Sequence, residues 1–438
     1  MQAPLTWKIF KPEILKTLDT LHKNQWLPHN TLKNRQNAAF MRLINHCRQN
    51  VPYFKNISEL GQVNSLTDIT KIPFQTKRII KDNFSDFKSE NIPDSRFIHM
   101  TTGGSTGESL IFYLDAANYI SSACTVRGDI WAGYQLGKPY LRLWGLSSKS
   151  NFKTRLRESL KRKIVTKETF LDVMRLDENL LHKYYRIINQ LKPRFIAGYS
   201  SFLYLFAKFL QENHLTIPQP SGVLSSAETL FDNQKLFISD VLKSKVYNRY
   251  GSQESYQIAG ECRFQSGLHV SIDSVVLEIV DSDGNPVKEG ESGEFVLTDL
   301  HNYVFPFVRY RIGDVGVMSD KMCECGRGLP LLKKVEGRTF DRVVGANGIS
   351  IAGEWWNSFF GKDVGNIDNY QIIQNSFDNL NIKIVTNDLF KKEKLQYIKS
   401  VLYKKLEKKL NIKIDIVNRI QPTSAGKRKY IISKVDSQ

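Results

Sequence analysis

Between about residues 96 and 250, short apolar runs alternate with helical patterns, and this alternation limits the fold more than any other feature of the chain. The runs include Ile111-Phe112-Tyr113, Leu141-Arg142-Leu143-Trp144, Phe195-Ile196-Ala197-Gly198 and Lys245-Val246-Tyr247. Strands that take turns with helices build an α/β layered unit, because each helix covers a face of the sheet. The flanking regions read differently. Residues 1–60 read as helices, with Phe40, Leu43 and Ile44 on one apolar face that ends at Val51-Pro52-Tyr53. After about 268, the strand Val275–Val280, the turn Asp283-Gly284-Asn285 and the strand Glu294–Leu297 mark a β-rich stretch. Beyond 336, strands at 371–373, 382–385 and 412–416 flank a long helix carrying Leu395, Ile398, Leu402, Leu406 and Leu410.

The expected fold class is therefore α/β. A large N-terminal domain, 1–335, contains a β-rich subdomain at about 262–335, and a small α+β domain occupies 336–438. A chain of 438 residues is long enough for two or three cores. Its 41% hydrophobic and 24% charged residues exclude disorder as the main state. No stretch approaches the ~20 apolar residues of a membrane span, and the N-terminus lacks a signal-type apolar core, so the expected compartment is the cytoplasm. Five cysteines make no disulfide framework, and the pair Cys323-Glu324-Cys325 points instead to metal.

The sharpest local motif is Thr101-Thr102-Gly103-Gly104-Ser105-Thr106-Gly107, followed after two residues by an apolar run. Glycines let successive N–H groups turn toward one anion, and the hydroxyls add donors for phosphate oxygens. The loop lacks the Gly-Lys-Ser/Thr ending of a Walker loop, and taken alone it also reads as a surface turn. Further along stands Tyr247-Asn248-Arg249-Tyr250-Gly251-Ser252-Gln253-Glu254. There a Tyr suits stacking on a purine, and the carboxylate suits Mg²⁺ beside phosphates. In Arg311-Ile312-Gly313-Asp314, an Asp after a glycine suits the two hydroxyls of a ribose. Glu336-Gly337-Arg338 opens the last region, and Lys427 stands on a glycine-bearing segment near the C-terminus.

In this order, these segments resemble the adenylate-forming (acyl/aryl-CoA synthetase) superfamily, and within it the phenylacetate–CoA ligase branch with its CapK-like members. CapK-like proteins are associated with capsular and surface polysaccharide genes. Val51-Pro52-Tyr53-Phe54, Ile72-Pro73-Phe74 with Lys77, Ala197–Ser201, Ser225–Thr229 and Cys325–Pro330 agree with that branch, and the resemblance spans about 50–430. It implies that 101–107 hold the ATP β,γ-phosphates. Ser226, Ala227 and Glu228 would line the adenine pocket, and Tyr250, followed by Gly251, would stack on the ring. Glu254 would bind Mg²⁺, and Asp314 with Arg338 the ribose. Lys427 would bridge carboxylate and α-phosphate, with Lys429 as the alternative. The family rotates its C-terminal domain between half-reactions, bringing the region of Gly348 to the second nucleophile. Two residues after Arg338, where the family hinge carries Asp or Lys, this chain has Phe340, then Asp341.

The implied chemistry is ATP-dependent activation of a small-molecule carboxylic acid to an acyl-adenylate, followed by transfer to CoA or to an amine acceptor. A protein that binds nucleotide without turnover is the reading from another class. Cys262, His269, Cys323 and Cys325 make a candidate structural Zn²⁺ set; the alternative is buried thiols and a surface His. Residues 149–168 carry eight basic and two acidic side chains, with Leu156, Leu160 and Ile164 at four-residue steps. Such a helix suits peripheral membrane contact, an anionic substrate or simple solvation. No aromatic or finger pattern accompanies the charge, so nucleic acid is not an expected partner.

Overall fold

The computed structural model describes residues 3–102, 110–145, 152–173, 178–338, 342–345, 350–352, 355–356, 359–406, 410–421, 429–433 and 435. The chain divides into two compact units. Met1–Ile312 with Gly316–Lys334 form the first, and Gly313–Val315 with Val335–Gln438 form the second.

In the first unit, β1 (Phe97–Thr101) and β2 (Ile111–Asp115) form an antiparallel two-stranded sheet. This corrects one expectation: the run at 111–113 is a strand, but it stands outside the layered sheet. The large sheet is built from β3 (Tyr140–Trp144), β4 (Glu168–Asp172), β5 (Phe195–Tyr199), β6 (Gly222–Ser226), β7 (Val246–Ser252), β8 (Tyr256–Glu261), β9 (Leu268–Val270), β10 (Val275–Val280), β11 (Ser292–Asp299), β12 (Tyr310–Met318) and β13 (Leu331–Arg338). Its order is β10-β11-β12-β13-β9-β8-β7-β6-β5-β3-β4. The strands β4, β3, β5, β6 and β7 run parallel, and pairing turns antiparallel at β7/β8. The β-rich segment after about 262 is thus the continuation of the same sheet rather than a separate one. Short loops at 253–255 and 262–267 return the chain antiparallel, whereas a parallel neighbour needs a long crossover.

Every residue of β5 is buried. Phe195 and Ala197 pack with Tyr134, Tyr140, Leu224 and Tyr247 on one face. On the other, Ile196 packs with Phe202, Phe206 and Leu210 from the helix Ser200–Glu212 and Ile188 from the helix Glu178–Leu191. A strand covered on both faces carries an unbroken apolar run, which is why Phe195–Gly198 shows no alternation. Burying one such Phe is worth roughly 2–3 kcal/mol.

The second unit contains β14 (Arg342–Val344) and β15 (Ser350–Ala352), paired antiparallel. A four-stranded sheet follows, made of β16 (Ile367–Ser376), β17 (Asn379–Thr386), β18 (Asn411–Ile416) and β19 (Ile431–Ser433) in the order β18-β17-β16-β19. The helix Lys394–Leu406 sets Ile398, Leu402 and Leu406 against Ile372, Ile382 and Ile384 of the sheet. Among the described residues, no helix is long and apolar enough to cross a membrane.

Candidate active site

The parallel strands end side by side. Tyr199 pairs with Ser226 across β5/β6, and Ser226 pairs with Arg249 across β6/β7. Ligands of open α/β sheets bind outside these carboxyl ends. The segments beginning at Ser200 and Ala227 leave the sheet here, while β7 runs past its last β6 pair at Arg249, still paired with β8 through Ser252, into the 253–255 turn.

Internal bonds hold each departing segment. The Ser226 hydroxyl donates to the Arg249 carbonyl at 3.1 Å, and the Arg249 guanidinium pairs with Asp129 at 2.8 Å, both buried. Ala227 takes a left-handed backbone, φ 70°, which a residue with a Cβ adopts at a cost of about 1 kcal/mol or more. That turn swings Glu228 back over the next strand. Its carboxylate accepts from the Ser201 N–H at 2.9 Å, in the first turn of the helix Ser200–Glu212. Ser200 donates to the Glu228 carbonyl at 3.1 Å and lies 2.6 Å from the Ser225 hydroxyl. An anion at a helix N-terminus is favoured by the dipole and the unpaired N–H groups. Ser226, Ala227 and Glu228 thus form a rigid shelf. Beside it, the Trp144 and Tyr199 rings lie 4.5 Å apart at the ends of β3 and β5.

Tyr250 packs its ring 5.4 Å from Phe295, at a bulge in the β7/β8 pairing. Gly251 is required there, since a Cβ would lie 2.2 Å from the Tyr256 carbonyl oxygen. The bulge aims the 253–255 turn, where Glu254 is buried with the Tyr310 hydroxyl 3.5 Å from its Oε1. Ser255 anchors the turn by donating to Asp299 at 3.1 Å. Burial pushes the Asp299 carboxyl up to about 6, against the hydrogen bonds it accepts from Ser255 and from the His301 N–H. Asn302 extends the connection: its Oδ1 accepts from the Asp115 N–H and its Nδ2 donates to the Tyr113 carbonyl. Sequence reasoning missed Asp299 and the Arg249–Asp129 pair; Asp299-Leu300-His301-Asn302 at a strand end was the available signal.

Thr101 ends β1, and Thr102 ties the base of the glycine-rich segment. Its N–H reaches the Leu110 carbonyl at 2.9 Å, and its hydroxyl accepts from the Leu110 N–H at 2.8 Å. Gly103, Gly104, Ser105, Thr106 and Gly107 lie outside the described residues, as do Phe340, Asp341, Gly348 and Lys427. Asp314 is buried within β12, and Arg338 ends β13; both group with the second unit. Away from this site, Tyr134 packs in the core, and the Trp131 ring lies 5.4 Å from that of His269 in the cysteine cluster described next.

Cys262, His269, Cys323 and Cys325 converge, their ligand atoms all within 4.8 Å of one another. The Cys262 and Cys323 sulfurs are 3.8 Å apart, and Cys325 Sγ is 3.4 Å from His269 Nε2. A tetrahedron with Zn–S bonds of about 2.3 Å has S···S edges of about 3.8 Å, so the four residues fit Zn²⁺. Burial holds the His269 imidazole down at about 4, hence neutral and able to ligate. Burial also pushes the Cys323 thiol up to about 12. The loop that carries Cys323 and Cys325 is clamped by the N-terminal helical region. Gln25 Oε1 accepts from Arg327 at 2.9 Å and from the Trp131 indole at 2.8 Å, and His29 bonds the Gly328 carbonyl at 3.0 Å. Gly328 permits this approach, since a Cβ would stand 2.0 Å from the Leu27 carbonyl oxygen.

Comparison with known proteins agrees with this architecture. Residues 343–434 match the CapK C-terminal domain family. Over 428 residues the chain is 23% identical to protein CapK of Staphylococcus aureus, covering 93% of this chain and 90% of that one. It is 22% identical over 331 residues to a phenylacetate-coenzyme A ligase of Thermus thermophilus, covering 73% of each. In fold it is similar to a 2-hydroxyisobutyryl-CoA ligase solved in the postadenylation state, with a TM-score of 0.75 at 16% identity, covering 94% of this chain and 91% of that one.

Proposed function

We propose, from the premise that this chain belongs to the phenylacetate–CoA ligase and CapK-like branch of the adenylate-forming superfamily, that it activates a carboxylic acid with ATP and passes the acyl group to a second nucleophile, CoA. The observation that carries the reading is the pair of segments that meet where the β6/β7 pairing ends: Ser226–Glu228 at the end of β6, and Tyr250–Glu254, which continues β7 past Arg249 into its turn.

A carboxylate is a poor electrophile because its leaving group is oxide; joining it to AMP supplies a good one. The attack brings two anions together, so the site has to provide positive charge and fixed donors. In this reading the shelf of Ser226, Ala227 and Glu228 lines the adenine pocket, with Tyr250 against the ring. Glu254, oriented by Tyr310, holds Mg²⁺, which when bound neutralises phosphate charge. The segment 101–107 takes the terminal phosphates, with Thr102 pinning its base. Asp314 and Arg338 take the ribose, and Lys427 the carboxylate and α-phosphate. The four-ligand cluster holds Zn²⁺ as a structural brace. A cytoplasmic setting follows from the ATP and CoA consumed.

ATP–pyrophosphate exchange across a panel of aryl, hydroxy and aliphatic acids tests the first half-reaction. At least one acid should support exchange, and Lys427→Ala should lower it by ~10²–10³-fold with the fold intact. Nucleotide binding without exchange for every acid would replace this reading with that of a non-catalytic nucleotide binder. Following the acyl group in the presence of CoA, amino sugars or amino acids separates thioester from amide formation.

A further inference from the structure

Five of the large apolar side chains left exposed on the first unit come from two helices in contact. The short helix Leu5–Phe10 exposes Leu5, Ile9 and Phe10, by 70%, 60% and 56%. The helix Phe152–Thr166 exposes Leu160 and Ile164, by 51% and 62%. The first helix is tied to the end of the second, its Thr6 hydroxyl donating to the Val165 carbonyl at 3.0 Å. Each helix therefore has a buried anchor, Trp7 in one and Val165 in the other, and a separate outward apolar row. Leu5 and Ile9 are four residues apart, as are Leu160 and Ile164, so each pair lies along one helix face.

The rows are set among cations. Lys8, Lys161, Arg162 and Lys163 are all exposed. Among the described residues, Arg162 has one carboxylate nearby, Glu168 at 3.9 Å, and Lys161 and Lys163 have no ion-pair partner. Lys11 joins the group. Burial holds its ammonium below the usual range; Glu168 opposes this, and Lys161, Arg162 and Arg142 add to it. Among the described side chains here, Lys8, Lys11, Lys161, Arg162 and Lys163 stand against the single carboxylate of Glu168.

We propose that the paired faces of Leu5–Phe10 and Ser159–Thr166 form a docking surface for an anionic lipid bilayer, with Leu5, Ile9, Phe10, Leu160 and Ile164 entering the headgroup boundary and Lys8, Lys161 and Lys163 lying against the anionic headgroups. An interfacial helix binds by buried apolar area and by attraction to anionic lipid together. The interleaved charge selects this occupant. A second copy would bring the same cations against one another, and each lysine near an anionic leaflet strengthens binding about fivefold. The surface is independent of the proposed chemistry and would hold the chain at a membrane face whichever acceptor it uses.

Co-sedimentation of the full chain with vesicles tests it. The chain should pellet with phosphatidylcholine vesicles containing phosphatidylglycerol, much less with phosphatidylcholine alone, and less at high salt. Lys161→Glu with Lys163→Glu should weaken binding by ~25-fold or more. Leu160→Ser with Ile164→Ser, and separately Ile9→Ser with Phe10→Ser, should each weaken it by about tenfold. All three variants should keep the native melting temperature and ATP–pyrophosphate exchange, so that failure here and failure of the catalytic reading are read separately. Equal binding to both vesicle types, no binding to either, or native binding by the serine variants overturns the proposal. So does a concentration-dependent dimer, seen by sedimentation velocity, that the serine substitutions dissolve.

Discussion

Strand β8 joins two unlike polar groups. At its start is the turn that carries Glu254; at its end is Cys262, the first of the four converging ligands. Six residues of strand separate them by about 20 Å. The turn holds one buried carboxylate, steadied by Tyr310 and by the Ser255–Asp299 bond. The cluster holds four ligand atoms facing one another, in a loop clamped by Gln25 and His29. A single carboxylate leaves a cation open to other ligands, as a reaction requires, whereas four protein ligands close a tetrahedral ion and leave only a structural role. In the proposed function, one strand would thus separate chemistry from bracing.

The largest expected effect tests the closed end. Protein purified without added metal should contain one zinc per chain. Chelation, or Cys323→Ser with Cys325→Ser, should cost about 4 kcal/mol or more of stability, read as a lower unfolding midpoint. Metal-free protein with an unchanged midpoint would remove the brace from the comparison. Next is the open end. Glu254→Gln should lower ATP–pyrophosphate exchange by ~10²–10³-fold while zinc content and melting temperature stay native.

The third prediction concerns the support of that turn. Asp299 is wholly buried, and burial raises its carboxyl to about 6 from 3.8. The folded state then holds a proton that the unfolded chain releases. Stability from this group is greatest below pH 3.8 and is lost as pH rises through 6. The span corresponds to on the order of 3 kcal/mol. Asp299→Asn, which stays neutral, should flatten the fall in stability between about pH 4 and 7 and leave the variant more stable at neutral pH. Equal pH slopes in both proteins would show that Asp299 is ionised without penalty. The smallest effect belongs to the shelf: Ala227→Gly relieves a left-handed residue and should stabilise by about 1 kcal/mol or less, with exchange kinetics reporting whether the turn's rigidity matters.

These groups differ in how far the sequence revealed them. Within the parallel half of the sheet, β3, β5 and β7 were legible as apolar runs, clearest at the doubly covered Phe195–Gly198, whereas the half-exposed β4 and the Gly/Ser-bearing β6 were not. The cysteine set was legible because thiols and an imidazole are scarce enough to be counted. The continuity of one sheet through β7/β8 was not, since local pattern reports pairing type but not which strands share hydrogen bonds. Glu228 shows a second limit. Its place in the motif was clear, but its bond to the Ser201 N–H depends on a left-handed turn at Ala227 that no propensity announces. The Arg249–Asp129 pair spans 120 residues, a separation at which no periodicity speaks.

The clamp between Gln25, His29 and the 325–330 loop also sets a clock for biosynthesis. His29 and Gly328 are 299 residues apart in the chain. At ribosomal elongation rates, residue 328 follows residue 29 by on the order of 15–60 s. Through that interval the nascent amino-terminal helices lack their seat, and Leu32, which a side chain at Gly328 would also crowd, has no partner there. A chaperone that shields the first fifty residues on the ribosome should therefore raise the yield of native chain, and a pause before codon 330 should lower it.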